Sequence, residues 1–110
     1  MSIEQTDKVD FVNLDRATRR VVLTISDHLD WSHDEGSHLL LLQEKLNSYL
    51  SFIESGEIVK KFPDAQGLPI AISIVGRFSM SEQAKLFFAK ARESIESAGF
   101  FLEFKLYLPH

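Results

Sequence analysis

The segment Ser26-Asp27-His28-Leu29-Asp30-Trp31-Ser32-His33-Asp34-Glu35-Gly36-Ser37-His38 gathers the side chains best suited to chemistry. It holds three of the four histidines, and no lysine or arginine lies between Arg20 and Lys45. Imidazole and carboxylate are the groups of metal ligation and of proton transfer near neutral pH. The candidate ligand site is therefore Asp27, His28, Asp30, Asp34 and His38, with Trp31 beside them as a core-edge anchor in preference to a ligand platform.

Spacing argues against a ready-made metal site. On a helix that already included His33, His33 and His38 would stand about 140° apart around the axis, whereas Asp34 and His38, four residues apart, share a face. A site would need that pair plus Asp27, His28 or Asp30 folding back. No H-E-x-x-H, EF-hand or Cys/His spacing is present, so no metal or other cofactor is expected. Acids at a helix start also have an ordinary explanation in the helix dipole and in capping.

Other chemistries are poorly served. The chain has no cysteine, which removes thiolate metal sites, disulfides and cysteine nucleophiles. Adjacent Ser26, Asp27 and His28 name the residue types of a hydrolase triad, but neighbours on a strand point to opposite faces and no G-x-S-x-G elbow exists. The five glycines, Gly36, Gly56, Gly67, Gly76 and Gly99, are isolated and form neither a P-loop nor a dinucleotide fingerprint. The catalytic residues stay unassigned, and the reading leans away from an enzyme.

The chain has 110 residues, 45% hydrophobic and 25% charged, with a net charge of −4. That is one soluble globular domain whose overall field repels phosphate backbones and anionic lipid, so neither nucleic acid nor membrane is an expected partner. Met1 to Asp10 carries Glu4, Asp7, Lys8 and Asp10 without an apolar run, and no continuous hydrophobic stretch exceeds the four residues of Leu39 to Leu42. Neither reads as a signal peptide or membrane span, and a cytoplasmic location is expected. The expected organisation is a flexible terminus over 1–8 and a single α/β domain over 9–110. The acidity is local: residues 21 to 44 contain five acids, three histidines and no Lys or Arg.

The elements that must position these residues follow from hydrophobic period. Val9 to Leu14 and Arg20 to Ser26 read as a hairpin around Asp15-Arg16-Ala17-Thr18-Arg19, and Val21, Leu23 and Ile25 alternate with Val22, Thr24 and Ser26. Leu39, Leu42, Leu46, Tyr49, Leu50 and Ile53 predict an amphipathic helix from about Asp34 to Ser55, with Ser32 and Glu35 as a capping box and Gly56 as the closing residue. Glu57 to Phe62 is a further short helical turn before Pro63-Asp64-Ala65-Gln66-Gly67. Ile70, Ile72 and Ile74 mark a third strand. Ser79 and Glu82 form another capping box, opening a helix with Ala84, Phe87, Phe88, Ala91, Ile95 and Ala98 on its buried stripe. After Gly99, Phe100 to Leu108 alternates as a final strand.

The order β-β-α-β-α-β predicts an α+β, two-layer, open-faced sandwich: a four-stranded mixed sheet with two helices on one face. The other face would carry Val22, Val75, Phe101 and Tyr107 as one apolar patch with no covering layer.

The run Val21-Val22-Leu23-Thr24-Ile25-Ser26-Asp27-His28-Leu29-Asp30-Trp31 resembles a family of small bacterial proteins known only as a domain of unknown function. The similarity continues through His38 to Asn47, Phe52 to Glu57, Phe62 to Ala65 and Ala98 to Phe100, and covers most of residues 9 to 107, with S-D-H-L-D-W its most distinctive piece. The resemblance implies a bacterial, free-standing cytoplasmic domain and supplies no activity, cofactor or catalytic residue. Three functional expectations stand. The first is a non-enzymatic protein-interaction or self-associating module, a homodimer or a protein complex formed through the open sheet face. The second is a metal- or histidine-dependent ligand-binding or hydrolytic site at 27–38, and the third a small acidic immunity-type protein.

Overall fold

The computed structural model describes Ile3 and residues 11–107. A hairpin starts the sheet, with β1 over Phe11–Asp15 and β2 over Arg20–Asp27. Asp15 makes the reversal: its Oδ1 accepts the backbone N–H groups of Ala17 (3.0 Å) and Thr18 (3.4 Å), and Arg19 takes a left-handed φ of 56°. Hydrogen bonding from Thr18, side chain first and then backbone, holds the Asp15 carboxyl below the usual carboxylate range.

The chain then runs through α1 (Glu35–Glu54), α2 (Glu57–Lys61) and a 3-10 turn at Pro63–Ala65 before β3 (Ile70–Gly76). Helix α3 (Glu82–Ser97) leads to β4 (Phe101–Leu106). The strands lie in chain order, β1-β2-β3-β4, with β1 antiparallel and β2, β3 and β4 parallel. This is the predicted mixed, open four-stranded sheet. Two crossovers winding in the same right-handed sense bring the helices to one face.

Period-two burial identifies that face. Val21, Leu23, Ile25 and Asp27 of β2 are buried, while Val22, Thr24 and Ser26 between them are half-buried. Ile72 and Ile74 of β3 and Leu102 of β4 join the first set, and α1 closes over them with Leu42, Leu46, Tyr49, Phe52 and Ile53. Past the described pairing of β1, two further groups bond to the same edge of β2. The Tyr49 hydroxyl donates to the Thr24 carbonyl (2.7 Å), and the N–H of Ile3, itself fully buried, donates to the Ser26 carbonyl (3.2 Å).

Several local expectations shift. The N-cap of α1 is Asp34, whose carboxylate accepts the Ser37 N–H, and not Ser32. The N-cap of α3 is Ser81, whose hydroxyl accepts the Ala84 N–H, and not Ser79. In both places a second capping side chain stands two residues later, so the sequence motif leaves the helix start ambiguous. Along α3 Ala84 and Ile95 are buried and Phe87, Phe88 and Ala91 half-buried, but Ala98 is exposed, because it is already the C-cap. Gly99, at φ 96°, supplies the left-handed turn into β4. The proposed strand residues Val9, Asp10 and Leu108 and, apart from Ile3, the proposed terminus 1–8 lie outside the described residues.

Gly76 has a packing reason. A Cβ there would meet the Phe104 ring at 2.8 Å, so the missing side chain is what lets that ring lie over the end of β3, edge-on to Phe88 with 6.5 Å between centroids.

Candidate functional site

Asp27 is the last residue of β2, and strand alternation turns its carboxylate toward the helices, where it is 3% exposed. A carboxylate there needs partners. Oδ1 accepts the Leu29 N–H at 3.1 Å, which also bends the chain out of the strand. Oδ2 lies 2.6 Å from Nε2 of His38, in the first turn of α1 and 2% exposed.

The other nitrogen of that ring, Nδ1, is 2.9 Å from the main-chain oxygen of Asp30. A carbonyl can only accept, so Nδ1 carries a proton and donates it. Nε2 is turned onto Oδ2, so neither ring nitrogen is open to solvent. Trp31 closes the remaining side: its ring stacks on His38 with centroids 3.5 Å apart and planes 14° from parallel. The cluster thus fastens the end of β2, the loop after it and the start of α1 to one another.

The acids of the loop are spent locally. Asp30 Oδ1 accepts the N–H groups of Ser32 and His33 (both 3.3 Å), and the exposed His33 ring lies 2.9 Å from its Oδ2. The His33 side chain, ahead of other causes, holds the Asp30 carboxyl below the usual range. Asp34 is likewise lowered, chiefly by the Ser37 N–H it caps at 3.2 Å. Asp27, Asp30 (through its backbone), Trp31 and His38 are therefore brought together. Asp34 does not join His38 in a site, because its carboxylate turns back onto the helix N-terminus.

His28 goes the other way. Exposed next to buried Asp27, it lines a shallow cavity of about 460 Å³ with Thr24, Ser26, Val75, Arg77 and Tyr107 at the C-terminal end of the open sheet face. Among the described residues, no three His, Asp or Glu side chains are arranged to hold a metal ion.

On the open face the four apolar residues do not form one patch. Val22 and Phe101 share a row across Ala71, while Val75 and Tyr107 lie at the other end. Six residues of strand separate Phe101 from Tyr107, roughly 20 Å. Between the two ends, Arg20 of β2 reaches across β3 and bonds both carboxylate oxygens of Glu103 at 3.2 and 3.1 Å. Beneath this pair the small side chains of Ala71 and Ser73 are 0% and 2% exposed. Phe101 and Tyr107 stay 46% and 51% exposed.

Arg77 at the cavity and the Arg20–Glu103 bridge were not anticipated from sequence, nor was the enclosure of Lys45, whose Nζ stands 5.6 Å from the Tyr49 ring centroid. A signal for Lys45 existed. Buried His38, Leu42, Lys45, Tyr49 and Phe52 follow one another at four, three, four and three, a helical stripe that includes two polar residues.

A family model described as a family of unknown function (DUF6572) matches residues 1–108. No curated protein and no solved structure matches the chain. No helix among the described residues is long and apolar enough to cross a membrane.

Proposed function

Since the chain belongs to this family of unknown function, DUF6572, and membership brings no activity with it, we propose from its own residues a non-enzymatic protein-interaction module that binds through the open sheet face. One observation carries the reading: the open face keeps Phe101 and Tyr107 about half exposed, while His38 and Asp27 are spent inside the fold and Asp30 and Asp34 are bonded within the loop. Large aromatic side chains held in a rigid sheet are effective anchors for a protein partner, because little freedom is lost on contact.

The chemistry around Tyr107 supports one kind of partner. Arg77 and His28 are exposed at the cavity, whereas Asp27, the carboxylate lining it, is buried and bonded to His38. A protein surface offering a carboxylate beside an apolar side chain complements that end of the face, even though the chain is acidic overall. The alternatives have less support. A His38-centred hydrolytic or metal site lacks a free ring nitrogen, and an acidic toxin-neutralising face would need acids that instead cap and clasp the loop.

The test uses Val22→Lys, whose long stem can carry the new charge into solvent without burying it, and Val75→Glu, whose carboxylate would oppose the partner's own. Immobilised wild-type and variant chains with matching thermal unfolding are exposed to lysate of the source cells, and retained proteins are quantified by mass spectrometry. An acidic protein retained by wild type and depleted at least tenfold by either variant supports the reading. Retention unchanged in both variants, or nothing retained above blank beads, overturns it.

A further inference from the structure

β4 is the last strand of the sheet, and among the described residues no strand pairs with its outer edge. The Tyr107 N–H donates to the Gly76 carbonyl, so the backbone groups of Tyr107, and with strand alternation those of Lys105, Glu103 and Phe101, point inward to β3. Those of Leu102, Phe104 and Leu106 point outward, and among the described residues no other backbone group bonds to them. A strand edge left open in this way is a template for another strand.

The sequence of the edge reads almost the same in both directions. From Phe101 it runs Phe-Leu-Glu-Phe-Lys-Leu-Tyr, with Phe104 at its centre. Pairing two copies antiparallel about Phe104 places Phe101 opposite the second copy's Tyr107, Leu102 opposite Leu106, Glu103 opposite Lys105 and Phe104 opposite itself. Every opposed pair is chemically matched, aromatic with aromatic, leucine with leucine, acid with base, and such pairs are the unit of sheet stabilisation.

The backbone agrees with the side chains. In this register Leu102 meets Leu106 and Phe104 meets Phe104, the residues whose N–H and C=O groups point outward, so each pair can exchange both N–H···O bonds. A shift by one residue would set outward groups against inward ones. A shift by two would set Glu103 against Glu103 or Lys105 against Lys105. Opposed residues also share a face, so both copies keep their helices on one side. The outer surface of α3 there carries exposed Lys85, Arg92 and Glu96, charges of both signs that do not forbid a second α3 alongside.

We infer that the occupant of the β4 edge is a second copy of this chain, joined antiparallel about Phe104 into a continuous eight-stranded sheet. This rests on the interaction-module reading and extends it: the two-fold runs through the edge and sets two open faces side by side.

The absence of cysteine makes the register directly testable. Glu103→Cys and Lys105→Cys chains of different mass are mixed, equilibrated and oxidised under mild conditions. Opposed residues of a non-hydrogen-bonded pair stand about 4.5 Å apart at Cα, within disulfide reach, whereas residues offset by two lie about 7–8 Å apart. The expected result is a 103-to-105 mixed disulfide at least fivefold over either like-with-like product, a wild-type dimer by sedimentation, and at least a tenfold weaker dimer for Leu106→Pro, which removes an outward N–H and leaves the β3 ladder intact. A wild-type monomer up to millimolar concentration, or crosslinks with no preference for the mixed product, overturns the inference. Leu106→Pro leaves the open face unaltered and Val22→Lys leaves the edge unaltered, so loss of dimer and loss of partner retention are read independently.

Discussion

His38 Nε2 lies 2.6 Å from Asp27 Oδ2, eleven residues earlier in the chain, with both side chains withdrawn from water. The contact joins the end of β2 to the first turn of α1, and the Asp30 carbonyl fixes which ring nitrogen faces the acid. Removing one member leaves the other buried without its counterpart, which costs about 3–5 kcal/mol, whereas removing both is less costly than the sum. His38→Ala and Asp27→Ala should each lower the urea midpoint strongly, with Asp27→Ala/His38→Ala showing a coupling above 1 kcal/mol by a double-mutant cycle. Additive losses would remove the pair as the fastening of this junction.

Trp31 is the only tryptophan, so its fluorescence reads that junction without interference. Its ring lies flat on His38, and stacked aromatic pairs contribute about 0.5–1.5 kcal/mol beyond the area they bury. Trp31→Phe keeps a flat ring and should cost less than Trp31→Ala in chemical denaturation. In His38→Ala the wild-type Trp31 emission should move to longer wavelength as water reaches the indole. An unchanged spectrum would mean that the ring does not depend on His38 for its place.

Asp34 gives the loop a pH dependence of known sign. The Ser37 N–H holds its folded carboxyl below the ordinary value of 3.8. A group lowered on folding contributes stability that is fully present above its unfolded pKa and is lost as pH falls through the folded one. The gap in stability between wild type and Asp34→Ala should therefore be constant from pH 5 to 7 and close below pH 4. A gap that widens on acidification would contradict the capping role.

The corresponding cap of α3 is neutral. Ser81 Oγ accepts the Ala84 N–H at 3.1 Å, and Ser81→Ala should cost about 1 kcal/mol, with Ser79→Ala close to silent. Equal losses would return the helix start to the earlier serine.

Much of this architecture is legible in the sequence because it follows from period. Val21, Leu23 and Ile25 alternate on β2 just as the burial does, and the one-way order of the strands leaves a single side for the helices. The His/Asp segment was legible as unusual but not as a fastening. Nothing local brings Asp27 to His38; that contact arises because β2 ends on a helix-facing position and α1 begins one short loop later. Spacing within the segment suggested an Asp34 and His38 pair, and tertiary geometry replaced it. The apolar residues of the open face were also correctly placed there, yet their division into two ends depends on Arg20 reaching Glu103, residues far apart in sequence.

Gly76 tests how tightly the Phe104 ring packs over the end of β3. A methyl group there would stand 2.8 Å from the Phe104 ring, too close for the two to coexist without movement. Overpacking of this kind costs about 1–3 kcal/mol. Gly76→Ala should lose stability in that range, and Phe104→Leu, which withdraws the ring, should recover part of it: the double variant should be more stable than the sum of the two single losses implies. Because Phe104 also lies at the proposed two-fold, displacing its ring in Gly76→Ala should weaken dimer formation measured by sedimentation, although residue 76 is not at the β4 edge. A destabilised Gly76→Ala chain with undiminished dimerisation would separate the packing of the ring from the pairing of the strand.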